Sequence, residues 1–210
     1  MKVVIFGANG KTGSLLVEKA LAKDYKVVAY VRKAGSILIE NPNLKVIVGH
    51  LNEKLNLTDA ISGADACISA LGGGSLTHRS PEIVEGIANI VSIMEQEVVP
   101  RFIYLSSLGA GESRLMMPLP MRFLVADIML RAPLADHNAN EQFFANSKLK
   151  WTSVRPGALN DGPVTNNLKH GSEISKIKGM ASISRENVAM FMIKQLKDEN
   201  YVKKAVWLYE

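Results

Sequence analysis

From its first residues the chain alternates short apolar runs with amphipathic stretches. Lys2 to Phe6 is a continuous apolar run of strand length. Thr12 to Lys23 follows with Leu15, Leu16, Lys19 and Ala20 at helical spacing. Further runs at Lys26 to Val31, Leu44 to Val48, Asp65 to Leu71, Arg101 to Leu105 and Trp151 to Val154 predict five more strands. Helices are predicted over Glu82 to Glu97, where Ile83, Ile87, Ile90, Val91 and Met94 share a face, over Asp136 to Asn146 and over Arg185 to Leu196. Ala205 to Tyr209 reads as a closing strand.

Strands this apolar on both faces belong inside a sheet covered by helices on each side. With the βαβ alternation, they predict an α/β protein with a doubly wound parallel sheet, a Rossmann fold, as a single domain over residues 1–210. The one irregular region is Gly109 to Pro133, rich in Gly, Pro and Met. It is expected to form a loop and a short helix over the ligand-binding edge of the sheet. Its stretch from Arg114 to Leu130 has three readings: an adaptable apolar lid, a buried amphipathic helix, or a partner surface.

Composition narrows the class. The 210 residues are 47% hydrophobic and 21% charged, an ordinary globular balance. The single cysteine, Cys67, excludes a disulfide framework and makes a Cys-based metal site unexpected. The apolar run before Gly7 is too short for a signal-peptide core. No run reaches the roughly 18 residues of a spanning helix. A cytoplasmic protein with no membrane contact is therefore expected. The formal charge is +5 and the pI about 9.3, but the basic residues are scattered. No nucleic-acid partner is expected, and no metal, since the four histidines show no ligand spacing.

The chemistry is concentrated at Gly7-Ala8-Asn9-Gly10-Lys11-Thr12-Gly13, between the first strand and the first helix. Gly7 allows a tight turn, Gly10 a close backbone approach to a pyrophosphate, and Gly13 close packing of the helix start. The helix N-terminus, with Asn9, Lys11 and Thr12 around it, offers N–H groups and partial positive charge to the phosphates. The second strand runs into Arg32-Lys33 with no carboxylate nearby in sequence. Arg32 and Lys33 can pair with a 2′-phosphate, so NADP (NADPH) is expected over NAD. Gly72-Gly73-Gly74, after the fourth strand, lets the chain pass close to the cofactor.

These motifs, with Ile68-Ser69-Ala70-Leu71-Gly72, Tyr104-Leu105-Ser106-Ser107 and Arg155-Pro156-Gly157, resemble those of atypical short-chain dehydrogenase/reductases. Within that superfamily the chain is similar to the NAD(P)H-binding, NmrA-like group and its flavin reductase-like members. The resemblance implies cofactor contacts at Leu51, Ala70, Leu71, Gly72, Ser106 and Pro156. It also implies an active-site serine at Ser107. One departure is His50, where the family usually has an Asp. Another is the absence of a Tyr-x-x-x-Lys pair between the fifth and sixth strands: aligned on Glu141, the two positions hold Pro133 and His137.

Proline cannot transfer a proton, so a standard alcohol dehydrogenase or epimerase mechanism is not expected. His137 can donate or shuttle a proton, or bond the cofactor ribose. The resemblance implies an NAD(P)H-dependent oxidoreductase acting on a planar conjugated small molecule such as a flavin, a quinone or a biliverdin-like tetrapyrrole. A non-catalytic NAD(P)-binding redox sensor is the alternative. A carbonyl reductase or isomerase relying on His137 is a third reading. A monomer or a homodimer is compatible with all three.

Overall fold

The computed structural model describes residues 1–72, 74–177 and 181–210. Its strands are β1 (Lys2–Phe6), β2 (Lys26–Val31), β3 (Leu44–Val48), β4 (Ala66–Ser69), β5 (Arg101–Leu105), β6 (Lys150–Pro156), β7 (Ala158–Asn160), β8 (Lys169–Gly171), β9 (Ser182–Ser184) and β10 (Lys204–Tyr209). The helices are α1 (Lys11–Leu21), α2 (Lys54–Ile61), α3 (Pro81–Gln96), α4 (Leu119–Met121), α5 (Arg131–Ala145) and α6 (Arg185–Gln195). A 3-10 turn over Gly111–Met116 and a π-helix over Arg122–Met129 flank α4.

The main sheet is eight-stranded, in the order β3-β2-β1-β4-β5-β6-β10-β8, and all its pairings are parallel except that of β8 with β10. Strand β1 lies between β2 and β4, with Val3 opposite both Val27 and Ala66. Alternation along β1 splits the core. Val3 and Ile5 pack under α1 and α6 with Leu16, Val17, Val188 and Met192. Val4 and Phe6 pack on the opposite face with Leu57, Ile61, Ile87, Ile90 and Met94 from α2 and α3. This is the doubly wound Rossmann-type fold expected from the alternation.

Three expectations are corrected. Strand β3 is an edge strand, not an inner one, and Val46 and Val48 are exposed. Helix α5 begins at Arg131, not Asp136: Pro133 falls in the first turn, where its missing N–H has no intrahelical partner to lose. The Gly109 to Pro133 region is more helical than expected, because the π-helix runs directly into α5, with Leu130 N–H donating to Val125 O at 2.7 Å. Arg114 clamps this segment by a bidentate pair with Asp127 at 2.6–2.8 Å.

The chain leaves β1 toward β2 on one side and crosses to β4 on the other. In such sheets ligands bind in the crevice at the carboxyl ends where strand order reverses. Here that crevice lies between the Gly7 turn after β1 and the Ala70-Leu71-Gly72 segment after β4.

Candidate active site

Gly7 sits at φ +73°, and a Cβ there would meet the Ala70 carbonyl oxygen at 2.7 Å. Glycine is thus required both by the turn and by the close approach of the two strand exits. Gly10 caps α1, and no side chain bonds the helix end. The first helical hydrogen bond is Ser14 N–H to Gly10 O, at 2.9 Å. The N–H groups of Lys11, Thr12 and Gly13 precede it, and they are the donors a pyrophosphate requires. The residues present fit a dinucleotide.

Two cavities flank this loop and share Gly10, Ala70, Leu71 and Gly72. The first, of about 360 Å³, is lined by Asn9, Arg32, His50 and Leu51 among others and has the placement of an adenosine site. Leu51 is held there by packing on Gly86, and its carbonyl accepts from Asn89 Nδ2 at 3.0 Å. The preceding turn is fixed by Tyr30, whose hydroxyl donates to His50 O at 2.9 Å. Burial, helped by Glu53, pushes the Tyr30 phenol up to about 12. Of the basic pair, Arg32 lines this cavity and Lys33 does not. Helix α3 also brings Glu82 and Glu85 to it. These carboxylates lie far from Arg32 in sequence, so the reading of β2 could not find them.

The second cavity, of about 920 Å³, is predominantly apolar. Its floor includes Thr12, Ser106, Ser107, His137 and Pro156, and its cover includes Met117, Pro118, Met121, Val125 and Leu130. The irregular region therefore does lie over the ligand-binding edge. Phe123, Leu124, Ile128 and Met129 of the same segment are exposed. Lys11 and Arg185 line the mouth, and both pair with Asp161: Lys11 at 2.9 Å, Arg185 more closely.

Ser106 and Ser107 part company. The Ser106 hydroxyl donates to Glu141 Oε1 at 2.7 Å and is committed to the framework. Ser106 still lines the cavity, with its hydroxyl proton already given to Glu141. Ser107 makes only a long bond of 3.3 Å to the Leu108 carbonyl, so its hydroxyl is free to turn to a ligand. Gly72 lines both cavities, and a Cβ there would meet nothing within 4 Å, so close packing is not what places glycine there. Gly73 lies outside the described residues.

Beneath the floor is a buried polar network of which only fragments are legible in the chain. Glu141 accepts from Ser106, from Ser153 Oγ at 2.7 Å, and from Arg155 Nε and Nη2 at 3.0 and 2.5 Å. Burial pushes the Glu141 carboxyl up, but Arg155 and the two hydroxyls outweigh it and hold the acid below its ordinary value. Nearby, Asp136 accepts from Arg79 Nε and from Ser80 N–H, both at 2.7 Å, tying the loop after β4 to α5. His137 Nδ1 lies 2.8 Å from the Tyr104 hydroxyl, which also accepts from Asn140 Nδ2 at 2.8 Å. Burial holds the His137 imidazole below its ordinary pKa despite the carboxylates of Glu141 and Asp136. Burial thus favours the uncharged form of the ring, which suits a hydrogen-bonding group. Tyr104 stands in the sequence only as part of a motif, without a role, and Asn140 not at all, since a buried strand tyrosine and a helix asparagine carry no signal of their own.

The sequence pattern of the NAD(P)H-binding family matches residues 7–199, from the glycine loop past α6. The chain belongs to that family. It is 27% identical, over its whole length and 94% of the relative's, to an uncharacterised sugar epimerase, YhfK, of Bacillus subtilis. Among solved structures, the anaerobilin reductase ChuY of Escherichia coli superposes with a TM-score of 0.83 at 22% identity, covering 100% of this chain and 97% of that one. A short-chain dehydrogenase/reductase of Veillonella parvula in complex with NADP gives 0.83 at 20% identity, covering 100% and 94%. At these identities the structural likeness is one of fold. Proteins similar to the chain in sequence or in fold are thus named as an epimerase and as reductases. Among the described residues no helix is long and apolar enough to cross a membrane.

Proposed function

We propose that this chain is an NADPH-dependent reductase that passes hydride to a planar conjugated acceptor such as a flavin, a quinone or a linear tetrapyrrole. The observation that carries this reading is the apolar cavity of about 920 Å³ beside the glycine loop. Ligand cavities typically span roughly 300–1,000 Å³, so this one suits a large flat molecule. A sugar would leave most of its hydroxyls facing methionine, leucine and valine, at a cost for each unpaired group.

The chemistry of the floor agrees. NADPH supplies the hydride. The chain supplies His137 and the Ser107 hydroxyl to hold the acceptor, and an apolar cover over it. By the resemblance, Pro133 and His137 take the positions at which a carbonyl reductase or epimerase of the superfamily has its proton-transferring pair. A conjugated acceptor spreads the incoming charge over its ring and takes its proton from water, so it does not need that pair. The reductase ChuY, similar in fold, is consistent with this reading, as is the resemblance to flavin reductase-like members. Preference for NADPH rests on Arg32 in the adenosine cavity, against which Glu82 and Glu85 must be weighed. A cytoplasmic location and a monomer or homodimer complete the proposal.

The test is NADPH oxidation with FMN, a soluble quinone and biliverdin offered in turn, with NADH in parallel and Arg32→Glu as the specificity control. Turnover with one acceptor, selectively weakened toward NADPH in Arg32→Glu, is the expected result. Tight NADPH binding with no turnover on any acceptor overturns the reductase and leaves a dinucleotide sensor.

A further inference from the structure

Tyr104 is fully buried in β5 and Asn140 nearly so in α5, yet neither belongs to the Glu141 framework. Their polar atoms meet each other and His137. Asn140 Nδ2 donates to the Tyr104 oxygen at 2.8 Å, and that oxygen lies 2.8 Å from His137 Nδ1. Among the described residues, Nδ1 is the sole acceptor within hydrogen-bond reach of the phenol proton. Burial and Coulomb repulsion from Glu141 and Asp136 also keep that proton on the phenol, although the Asn140 bond opposes them. A proton directed at Nδ1 leaves the ring's own proton on Nε2. His137 lines the acceptor cavity, and with Nδ1 engaged by Tyr104 the ring nitrogen left to bond a ligand is Nε2.

We propose that Tyr104 and Asn140 are positioning residues: the series Asn140 N–H to Tyr104 O–H to His137 Nδ1 locks the imidazole as its Nε2–H tautomer and presents that N–H to the acceptor. The lock rests on geometry alone, and only its kinetic consequence rests on the reductase reading. A fixed N–H aimed at the acceptor's ring nitrogen or carbonyl stabilises the negative charge that hydride delivery creates there, with no proton changing hands at His137. The charges reaching the imidazole are Asp136 and Glu141 on its own helix and Arg155 from β6. Arg79, from the loop after β4, partly neutralises Asp136. Asn140 also lines a cavity of about 20 Å³ with Ser80, Asp136 and His137, and its Oδ1 has no protein partner. A space of that size takes one water, which would hold the amide in the orientation that makes Nδ2 the donor.

The experiment is a side-chain NMR spectrum of the full chain with isotope-labelled histidine at neutral pH, with His137 assigned by its loss in His137→Gln. The expected signal is a neutral ring protonated at Nε2 and bare at Nδ1, and in Tyr104→Phe a mixture of tautomers. A wild-type ring protonated at Nδ1, or charged, overturns the proposal without any variant having to fold. With an acceptor that turns over, Tyr104→Phe is expected to lower kcat roughly tenfold, less than the loss of a whole oxyanion donor. The KM for NADPH is expected to hold, and kcat to gain a pH dependence that the wild type lacks. Unchanged kcat and pH profile in a folded Tyr104→Phe overturn it as well. If the Nε2–H tautomer is seen but nothing turns over, the reductase reading falls and the lock stands.

Discussion

A Cβ placed on Gly13 would lie 1.9 Å from the carbonyl oxygen of Gly7. The third glycine of the loop therefore packs the helix start onto the turn itself, more than onto the strand before it. The neighbouring atoms are backbone and cannot swing aside. Gly13→Ala is expected to displace the turn, lower stability by about 1–3 kcal/mol and weaken NADPH binding at least roughly tenfold. Thermal melting and a fluorescence titration with NADPH read the two effects separately. Wild-type binding in the variant would show that the loop is not the phosphate cradle.

Glu141 and Arg155 form the buried hub that joins α5 to β5 and β6. Their side chains are only 13% and 5% exposed, so the pair is poorly screened. Removing one partner strands the other's charge, although Glu112 still reaches Arg155 Nη1 at 2.8 Å. Glu141→Ala is expected to cost about 3–5 kcal/mol in urea unfolding. A loss below about 1 kcal/mol, the usual value of a surface pair, would mean that the hub is not holding these elements together.

The cover of the acceptor cavity offers a test that leaves the cofactor site intact. Val125 faces the cavity from the π-helix and is far from the glycine loop in sequence. Val125→Trp is expected to fill space that a flat acceptor needs. The acceptor KM should rise about tenfold, a plausible loss for one aromatic-sized obstruction, while NADPH binding stays unchanged. Steady-state kinetics with the acceptor identified by the oxidation assay decide it. An unchanged acceptor KM would place the substrate elsewhere.

Much of the fold could be read from the chain because its signals are local. The apolar runs of β1, β2, β5 and β10 and the periodic faces of α3 and α6 fall within a residue or two of their expected bounds. What escaped was short or non-local. Strands β7, β8 and β9 have three residues each, too few for a period to show. Helix α2 has only Leu57, Ala60 and Ile61 buried, a weak stripe in an otherwise polar stretch. The edge position of β3 depends on topology, which its Leu, Val and Ile content concealed. In the site, the glycine loop was legible as a motif, because backbone geometry demands Gly7 and Gly13. The commitment of Ser106 to Glu141, the shared cavity of Arg32 with Glu82 and Glu85, and the Asn140–Tyr104–His137 series all join residues far apart in the chain. No spacing rule announces them.

Acid stability gives the last prediction, and its sign follows from burial. His137 is held below its ordinary pKa in the folded chain, chiefly by desolvation. Unfolded, the imidazole takes up a proton near pH 6.5; folded, it does so only at lower pH. Between the two the unfolded chain binds more protons, so stability rises with pH across that window. The contribution is whole above about 6.5 and is lost as pH falls through the folded-state value. Glu141, also held low, adds a second loss that starts below the ordinary carboxylate value of 4.5. His170 is lowered too, mainly by burial, and acts in the same window as His137. Comparison with His137→Gln isolates the one ring. Urea unfolding at a series of pH values should show wild-type stability falling more steeply than that of His137→Gln below about 6.5, by at most about 1.4 kcal/mol per pH unit. Parallel curves for the two proteins would mean that His137 is protonated as easily in the folded chain as in the unfolded one. A readily charged ring is an acid, so that result would remove the neutral imidazole from the floor of the cavity and restore proton donation by His137.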